Sequence, residues 1–316
     1  MRIAFFGTSE FVGSLQNARF LRRLVAAGVK PAVVVTAPDA HGRDGRGGLG
    51  AVKSAALAFG LPVLQPSALP GFSEELRKYE IGLSLVVAYG KILPPDVLEV
   101  PKFGSLNIHP SLLPRWRGTT PIQSVILAGD TMTGVTIIQM DSEMDHGPIV
   151  ANSKFEILNS KITAPELSDA LTDLGVELFF EVLEPWVGGT ITPRPQDHAA
   201  ATYSRILKKE DGHIDWAIPA YDIERQIRAF KPWPGAYTFW QRNGDAVRLN
   251  VEAAESRRTK DEGRAAGVVF AEGGSVLVET SEGAIIVQQL KPEGGKSMSG
   301  ADFIRGHPAV QGAMLK

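Results

Sequence analysis

Asn107 and His109 stand two residues apart in a short apolar run, Ser105-Leu106-Asn107-Ile108-His109. If that run is a strand, alternation puts both side chains on one face. Pro110 holds the backbone at His109 extended. A second polar cluster, Gln139 to Ile149, follows another β-rich run and offers Asp141, Glu143, Asp145 and His146. A carboxylate from it could reach the Asn107/His109 face from a neighbouring strand. An amide, an imidazole and a carboxylate together suit acyl transfer to an amine. The amide donates to a developing oxyanion. The imidazole moves a proton, and the carboxylate sets its tautomer. No nucleophilic side chain is needed, because the amine itself attacks. Taken alone, an Asn-x-His pair is more often structural than catalytic, and Asp-x-Gly is common turn chemistry. Ser111 invites a Ser/His/Asp hydrolase reading, but no G-x-S-x-G elbow surrounds it. The six histidines show no H-E-x-x-H spacing, so no metal site is expected.

The elements that must position these residues follow from periodicity. Ile3–Phe6 is a short apolar run, Phe11 to Gly28 has helical spacing, and Ala32–Thr36 is β-branched. The chain therefore opens β-α-β, which implies parallel strands and a right-handed crossover. Lys53–Phe59 reads as a helix, Leu83–Ala88 and Gly104–Ile108 as buried strands, Gly134–Met140 as a strand and Ala164–Val187 as a long helix. Strands interleaved with helices indicate a doubly wound α/β domain, whose ligands bind beyond the carboxyl ends of the strands. Ile191 to Asp197, with two prolines, reads as a linker. Beyond it, Ala220–Phe230 is helical, with Ile223, Ile227 and Phe230 on one stripe. Short strands divided by Gly244, Gly267, Gly273-Gly274 and Gly283 suggest a small β-barrel. Trp233 reads as core in preference to a base-stacking platform. The Arg115-Trp116-Arg117 triplet could face substrate or solvent.

Composition narrows the function classes. The 316 residues, 44% hydrophobic and 22% charged, are those of an ordinary two-domain globular chain. The absence of cysteine excludes disulfides, thiol catalysis and iron–sulfur ligation, and fits a reducing cytoplasm. A net charge of −2 gives no global signal for nucleic acid, although residues 204–316 are slightly positive and the rest slightly negative. No apolar stretch reaches the ~18 residues of a membrane span.

Two segments carry a resemblance. Asn107-Ile108-His109-Pro110-Ser111-Leu112-Leu113-Pro114, followed by Met144-Asp145-His146-Gly147-Pro148-Ile149, resembles the folate-dependent formyltransferases. Phe5-Phe6-Gly7-Thr8, Val86–Pro94, Arg115–Gly118, Gly134-Val135-Thr136, Ile214-Asp215-Trp216 and Ile227–Gly235 are similar to the branch that acts on aminoacylated tRNA. The resemblance implies a Rossmann-like doubly wound formyltransferase domain over residues 1–190, a linker over 191–205, and a C-terminal OB-like β-barrel over 206–316 that binds tRNA. It implies formyl transfer from 10-formyltetrahydrofolate to the amino group of initiator methionyl-tRNA, in the cytoplasm, by a monomer without metal or membrane. Asn107, His109 and Asp145 match the catalytic trio. Ser111, Leu112, Leu113 and Pro114 match the tetrahydrofolate-binding turn, and Tyr89, Ile92 and Leu93 a segment beside the pterin pocket. Arg43 and Arg46 lie in the Gly-rich loop Pro38–Gly50, the place of the tRNA-contacting loop, where Asp39 and Asp44 offset them. His146 stands where the family commonly has Thr, and Thr119-Thr120 where it has alanines. His146 could flank the site, and a solvent-facing place suits it better than a catalytic one. Two other readings compete: a formyltransferase or formyltetrahydrofolate hydrolase acting on a small molecule, which the matched C-terminal domain disfavours, and a silent RNA- or folate-binding module, which has no need of all three polar residues.

Overall fold

Strands rich in Val, Ile, Leu and Phe, buried on both faces, can only sit inside a sheet covered by helices. The computed structural model arranges them so, and describes residues 1–8, 16–39, 49–258 and 263–316. The chain forms two units. The first comprises Met1–Val125, Thr131–Leu158 and Glu166–Ile206, the second Ile126–Asp130, Asn159–Pro165 and Leu207–Lys316.

The elements up to residue 187 are β1 (Ile3–Gly7), α1 (Asn17–Ala26), β2 (Val33–Val35), α2 (Ala51–Ala58), β3 (Val63–Leu64), α3 (Phe72–Arg77), β4 (Leu83–Val87), α4 (Pro95–Leu98), β5 (Ser105–His109), α5 (Pro121–Ala128), β6 (Met132–Gln139), β7 (Ile149–Glu156) and α6 (Ala164–Val187). Among the described residues the sheet runs β3-β2-β1-β4-β5-β6-β7. Strands β1 to β5 are parallel, and the order reverses between β1 and β4. Phe5, Phe6, Leu85, Leu106 and Phe179 are fully buried in its core. This is the doubly wound α/β architecture expected.

One feature departs from a purely parallel sheet. Strand β6 pairs antiparallel with β5, placing Asn107 opposite Ile138 and His109 opposite Thr136. Strand β7 then pairs antiparallel with β6. The β6–β7 connection therefore leaves at the Ser105 end of β5, where the Met140 N–H donates to Ser105 O at 2.8 Å. It must fold back along β5 to reach the polar pair. Alternating β-rich residues revealed β6 but not its direction.

The stretch 191–205, expected as a linker, hydrogen-bonds along the first unit. Arg194 exchanges main-chain bonds with Ile149 at 2.7 and 2.8 Å, and Ser204 N donates to Arg117 O at 2.7 Å. Extended backbone with prolines reads the same from sequence whether it crosses solvent or lies on a fold.

The second unit holds α7 (Ala220–Ala229), β8 (Ala236–Arg242), β9 (Asp245–Arg257), β10 (Val269–Glu272), β11 (Ser275–Glu279), β12 (Ala284–Pro292), β13 (Met298–Ser299) and α8 (Gly300–Gly306). The strands form an antiparallel half-barrel in the order β10-β11-β12-β9-β8, with β13 on β12. The turns before β9 and β11 are Asn243-Gly244 and Gly273-Gly274, all at positive φ, the geometry of tight hairpins. Ile223 and Ile227 of α7 are buried with Trp216, Trp240 and Leu249. Phe230 is buried too. Trp216 Nε1 donates to Thr238 Oγ1 at 3.0 Å, which satisfies the one polar atom of its indole. Trp233 is a correction, being 41% exposed. It lies between Pro232 and Pro234 in the turn from α7 to β8, so neither element carries it inward.

Candidate active site

Strand β5 ends with Asn107 and His109 on one face, and the β6–β7 loop brings Asp145 to them. Asn107 Nδ2 donates to Asp145 Oδ1 at 3.3 Å, and His109 Nδ1 lies 3.5 Å from the same oxygen. The other carboxylate oxygen accepts the Gly118 N–H at 2.8 Å. His109 Nε2 meets the Trp116 carbonyl at 3.0 Å. A carbonyl only accepts, so Nε2 carries the proton, and Nδ1 faces the carboxylate. His109 is buried. The arrangement can donate hydrogen bonds to an oxyanion and move a proton beside it.

Asp145 has φ of 51°, an unusual backbone for a non-glycine residue. Two residues on, a Cβ on Gly147 would stand 1.9 Å from Gln139 O, so only glycine lets the loop return against β6. This explains Asp-x-Gly here: the turn aims the carboxylate.

The trio lines a cavity of about 190 Å³ together with Val86, Ala88, Gly90, Lys91, Ile138 and Met140. Tyr89, Ile92 and Leu93, expected beside a pterin, line it too. They follow β4, next to the point where the strand order reverses, the usual ligand crevice of such sheets. Burial without a hydrogen-bond partner pushes the Tyr89 phenol up to about 12.

Comparison with known proteins places the chain in a family. Residues 1–183 match the model described as Formyl transferase, and residues 206–308 the one described as Formyl transferase, C-terminal domain. A methionyl-tRNA formyltransferase of Chloroflexus aggregans is 45% identical over 97% of both chains. One of Myxococcus xanthus is 40% identical over 99% of this chain and 97% of its own. The chain belongs to the methionyl-tRNA formyltransferase family. Its fold also resembles HypX of Aquifex aeolicus, crystallised with tetrahydrofolic acid, with a TM-score of 0.64 at 19% identity; the match covers 96% of this chain and 47% of HypX.

The turn expected to contact folate follows His109 directly. Ser111, Leu112, Leu113 and Pro114 do not line the cavity. Ser111 is fully buried, and its hydroxyl donates to Arg115 O at 2.6 Å. Thr136 Oγ1 accepts from Leu113 N–H at 3.1 Å and donates to Ser111 O at 2.7 Å. Leu113 packs on Ile138 and Ile149. These residues frame the turn after His109, holding Trp116 O and Gly118 N–H toward the trio. Arg43 and Arg46 lie outside the described residues. Asp39 is bound to Lys53 and Gln65, which hold its carboxyl below the usual range.

Two neighbours of the site, Gln196 and His198, escaped sequence reading, and Arg117 entered it only within a triplet of undecided facing. Arg117, Gln196 and His198 converge beneath the Asp145 turn. Arg117 is buried, so its triplet faces neither substrate nor solvent as a whole. His146 is half-buried, with its ring on His198. Only a polar residue inside an apparent linker, Gln196, could have signalled the group.

Proposed function

We propose that this protein transfers the formyl group of 10-formyltetrahydrofolate to the α-amino group of initiator methionyl-tRNA. The observation that carries the reading is the convergence of Asn107 and His109 on Asp145 Oδ1 at the wall of a mostly apolar cavity. The names of relatives 40 to 45% identical over nearly the whole chain support the acceptor.

The donor is a substrate that supplies an activated formyl carbon. Apolar walls from Val86, Ile92, Leu93 and Ile138, with polar groups gathered at one end, fit a flat heterocycle whose reactive edge must be oriented. The neutral amine attacks that carbon. A carbon–nitrogen bond to methionine forms, the bond to the folate nitrogen breaks, and one proton passes from the amine to the leaving nitrogen. Asn107 donates to the oxygen as it becomes negative, while His109, held between Trp116 O and Asp145, supports that charge from beside it. Asp145 orients His109 and relays the proton between the two nitrogens. Residues 1–190 do this chemistry, joined through 191–205 to residues 206–316, which hold the tRNA. Arg43 and Arg46 contact acceptor-stem phosphates, which makes binding salt-dependent. The enzyme acts as a monomer, and a chain without cysteine suits the cytoplasm.

The test is labelled formyl transfer to initiator methionyl-tRNA, elongator methionyl-tRNA and glycinamide ribonucleotide in parallel. Transfer to the initiator alone is expected. Transfer only to the small molecule, or to none, overturns the assignment.

A further inference from the structure

The polar groups under the Asp145 turn do not line the cavity, and the mechanism leaves them without a task. Gln196, 5% exposed, spends both amide hydrogens on main chain: Nε2 donates to Asp145 O at 2.9 Å and to Gly147 O at 2.7 Å. Its carbonyl accepts from Arg117 Nε at 3.2 Å and Nη2 at 2.7 Å. A guanidinium only donates, so the amide has one possible orientation. Arg117 is 2% exposed, and its Nη2 also donates to His198 Nδ1 at 2.8 Å. That nitrogen offers a lone pair, which puts the His198 proton on Nε2. The His198 ring stacks on His146, centroids 4.1 Å apart and planes within 5°. His146 Nδ1 in turn donates to Asp141 Oδ2 at 2.7 Å. The array therefore begins and ends on the loop that carries Asp145.

We propose that Gln196 and Arg117 are positioning residues for the formyl transfer, acting through Asp145, with His198 and His146 bracing Arg117 against the same loop; this rests on the functional reading above. The contacts of Asp145 with Asn107 and His109 are already 3.3 and 3.5 Å, so a small rotation of the turn loses them. Its positive φ is an arrangement that surrounding bonds must hold. Gln196 holds it at the carbonyl of Asp145 itself and again two residues on at Gly147, and the Arg117 fork keeps Gln196 from turning. A buried guanidinium facing neutral acceptors carries a desolvation cost that packing alone would not justify. Rigid support of this kind preserves reactive geometry, where an error of about 1 Å can cost 100-fold in rate.

Gln196→Glu separates the roles. The new carboxylate keeps the length and an ion pair with Arg117 but cannot donate to the two carbonyls. Using the full chain, 10-formyltetrahydrofolate and initiator methionyl-tRNA, kcat should fall about 10-fold to 100-fold, with KM for both substrates within about twofold. In an Asp145→Asn background the same change should cost nothing further, because the carboxylate that it positions is already gone. The same fold loss in both backgrounds means a merely structural role and overturns the proposal, as does an unchanged kcat in the single variant. His198→Asn, which keeps an acceptor for Arg117, should retain activity that His198→Leu loses. This pair carries the test if Gln196→Glu does not fold, and equal activities overturn the proposal. Wild-type transfer with an indifferent Gln196→Glu sinks the positioning role alone. Absence of transfer by the wild type sinks the functional reading and this proposal with it.

Discussion

Each unit buries a charged side chain, and the two are built to different ends. Arg117 in the first is met by neutral acceptors, Gln196 and His198, whose far sides attach to the loop of Asp145. Glu224 in the second is met by donors that finish the matter locally. Ser256 gives it the backbone N–H at 2.9 Å and its hydroxyl, Lys161 Nζ lies at 2.9 Å, and Arg228 Nε at 3.7 Å. Burial pushes the Glu224 carboxyl up, but the bonds from Ser256 and Lys161 together outweigh it and hold it below its ordinary 4.5. Burial plus charge therefore does not mark a functional group. What marks one is where the network ends: at a strained turn beside a cavity, or on its own helix and strand.

The sharpest way to test that contrast is at the cavity end. Asn107→Ala removes an oxyanion donor and should raise the barrier by about 2.7–4 kcal/mol, seen as a lower kcat at unchanged melting temperature. Wild-type turnover would remove Asn107 from the mechanism. In the other network, Glu224→Gln should leave Arg228 without its counter-charge, while Lys161 keeps Glu255 at 3.6 Å. We expect a loss of about 3 kcal/mol in denaturant unfolding, the low end for a broken buried pair because Lys161 keeps a partner. Its pH dependence has a definite sign. A carboxyl lowered in the folded state contributes stability that is full above its unfolded value of 4.5 and is lost as pH falls through the folded value. The variant should therefore show a flatter stability profile below about pH 4.5 than the wild type.

Smaller effects sharpen the border between frame and site. Ser111→Ala gives up one buried hydrogen bond and should cost about 1 kcal/mol of stability while KM for the donor stays within error. A raised KM would return Ser111 to the folate contacts. Tyr89→Phe deletes a buried hydroxyl without a partner, and stability at pH 7 should rise by up to about 0.5 kcal/mol. Because burial disfavours the phenolate in the folded state only, the wild type loses stability as pH rises from 10 through about 12. The variant should resist alkaline unfolding in that window better than the wild type.

These contrasts bear on what was legible in the chain. The Asn107/His109 pair could be read because a period of two admits one face only, and that face survives whatever the neighbouring strand does. Asp145 could be read because its turn requires Gly147, which stands in the sequence as Asp-x-Gly. Helix α6 and the stripe Ile223, Ile227 and Phe230 followed from spacing alone. Ser111 to Pro114 were assigned to the ligand by resemblance, and their framing bonds to Arg115 and Thr136 were not legible, because those partners are set by the fold of the turn and the neighbouring strand. Trp233 was assigned to the core by its size, whereas the prolines beside it decide its exposure.

By itself, then, the order of residues determined periodicity, turn chemistry and the motif that names the family, since these depend on neighbours a few positions away. The tertiary structure alone decided the antiparallel direction of β6, the return of the Asp145 loop along β5, and the meeting of Arg117 with Gln196 across 79 residues of chain. Such contacts depend on which surfaces the whole core leaves side by side, and no local pattern encodes a partner that far away.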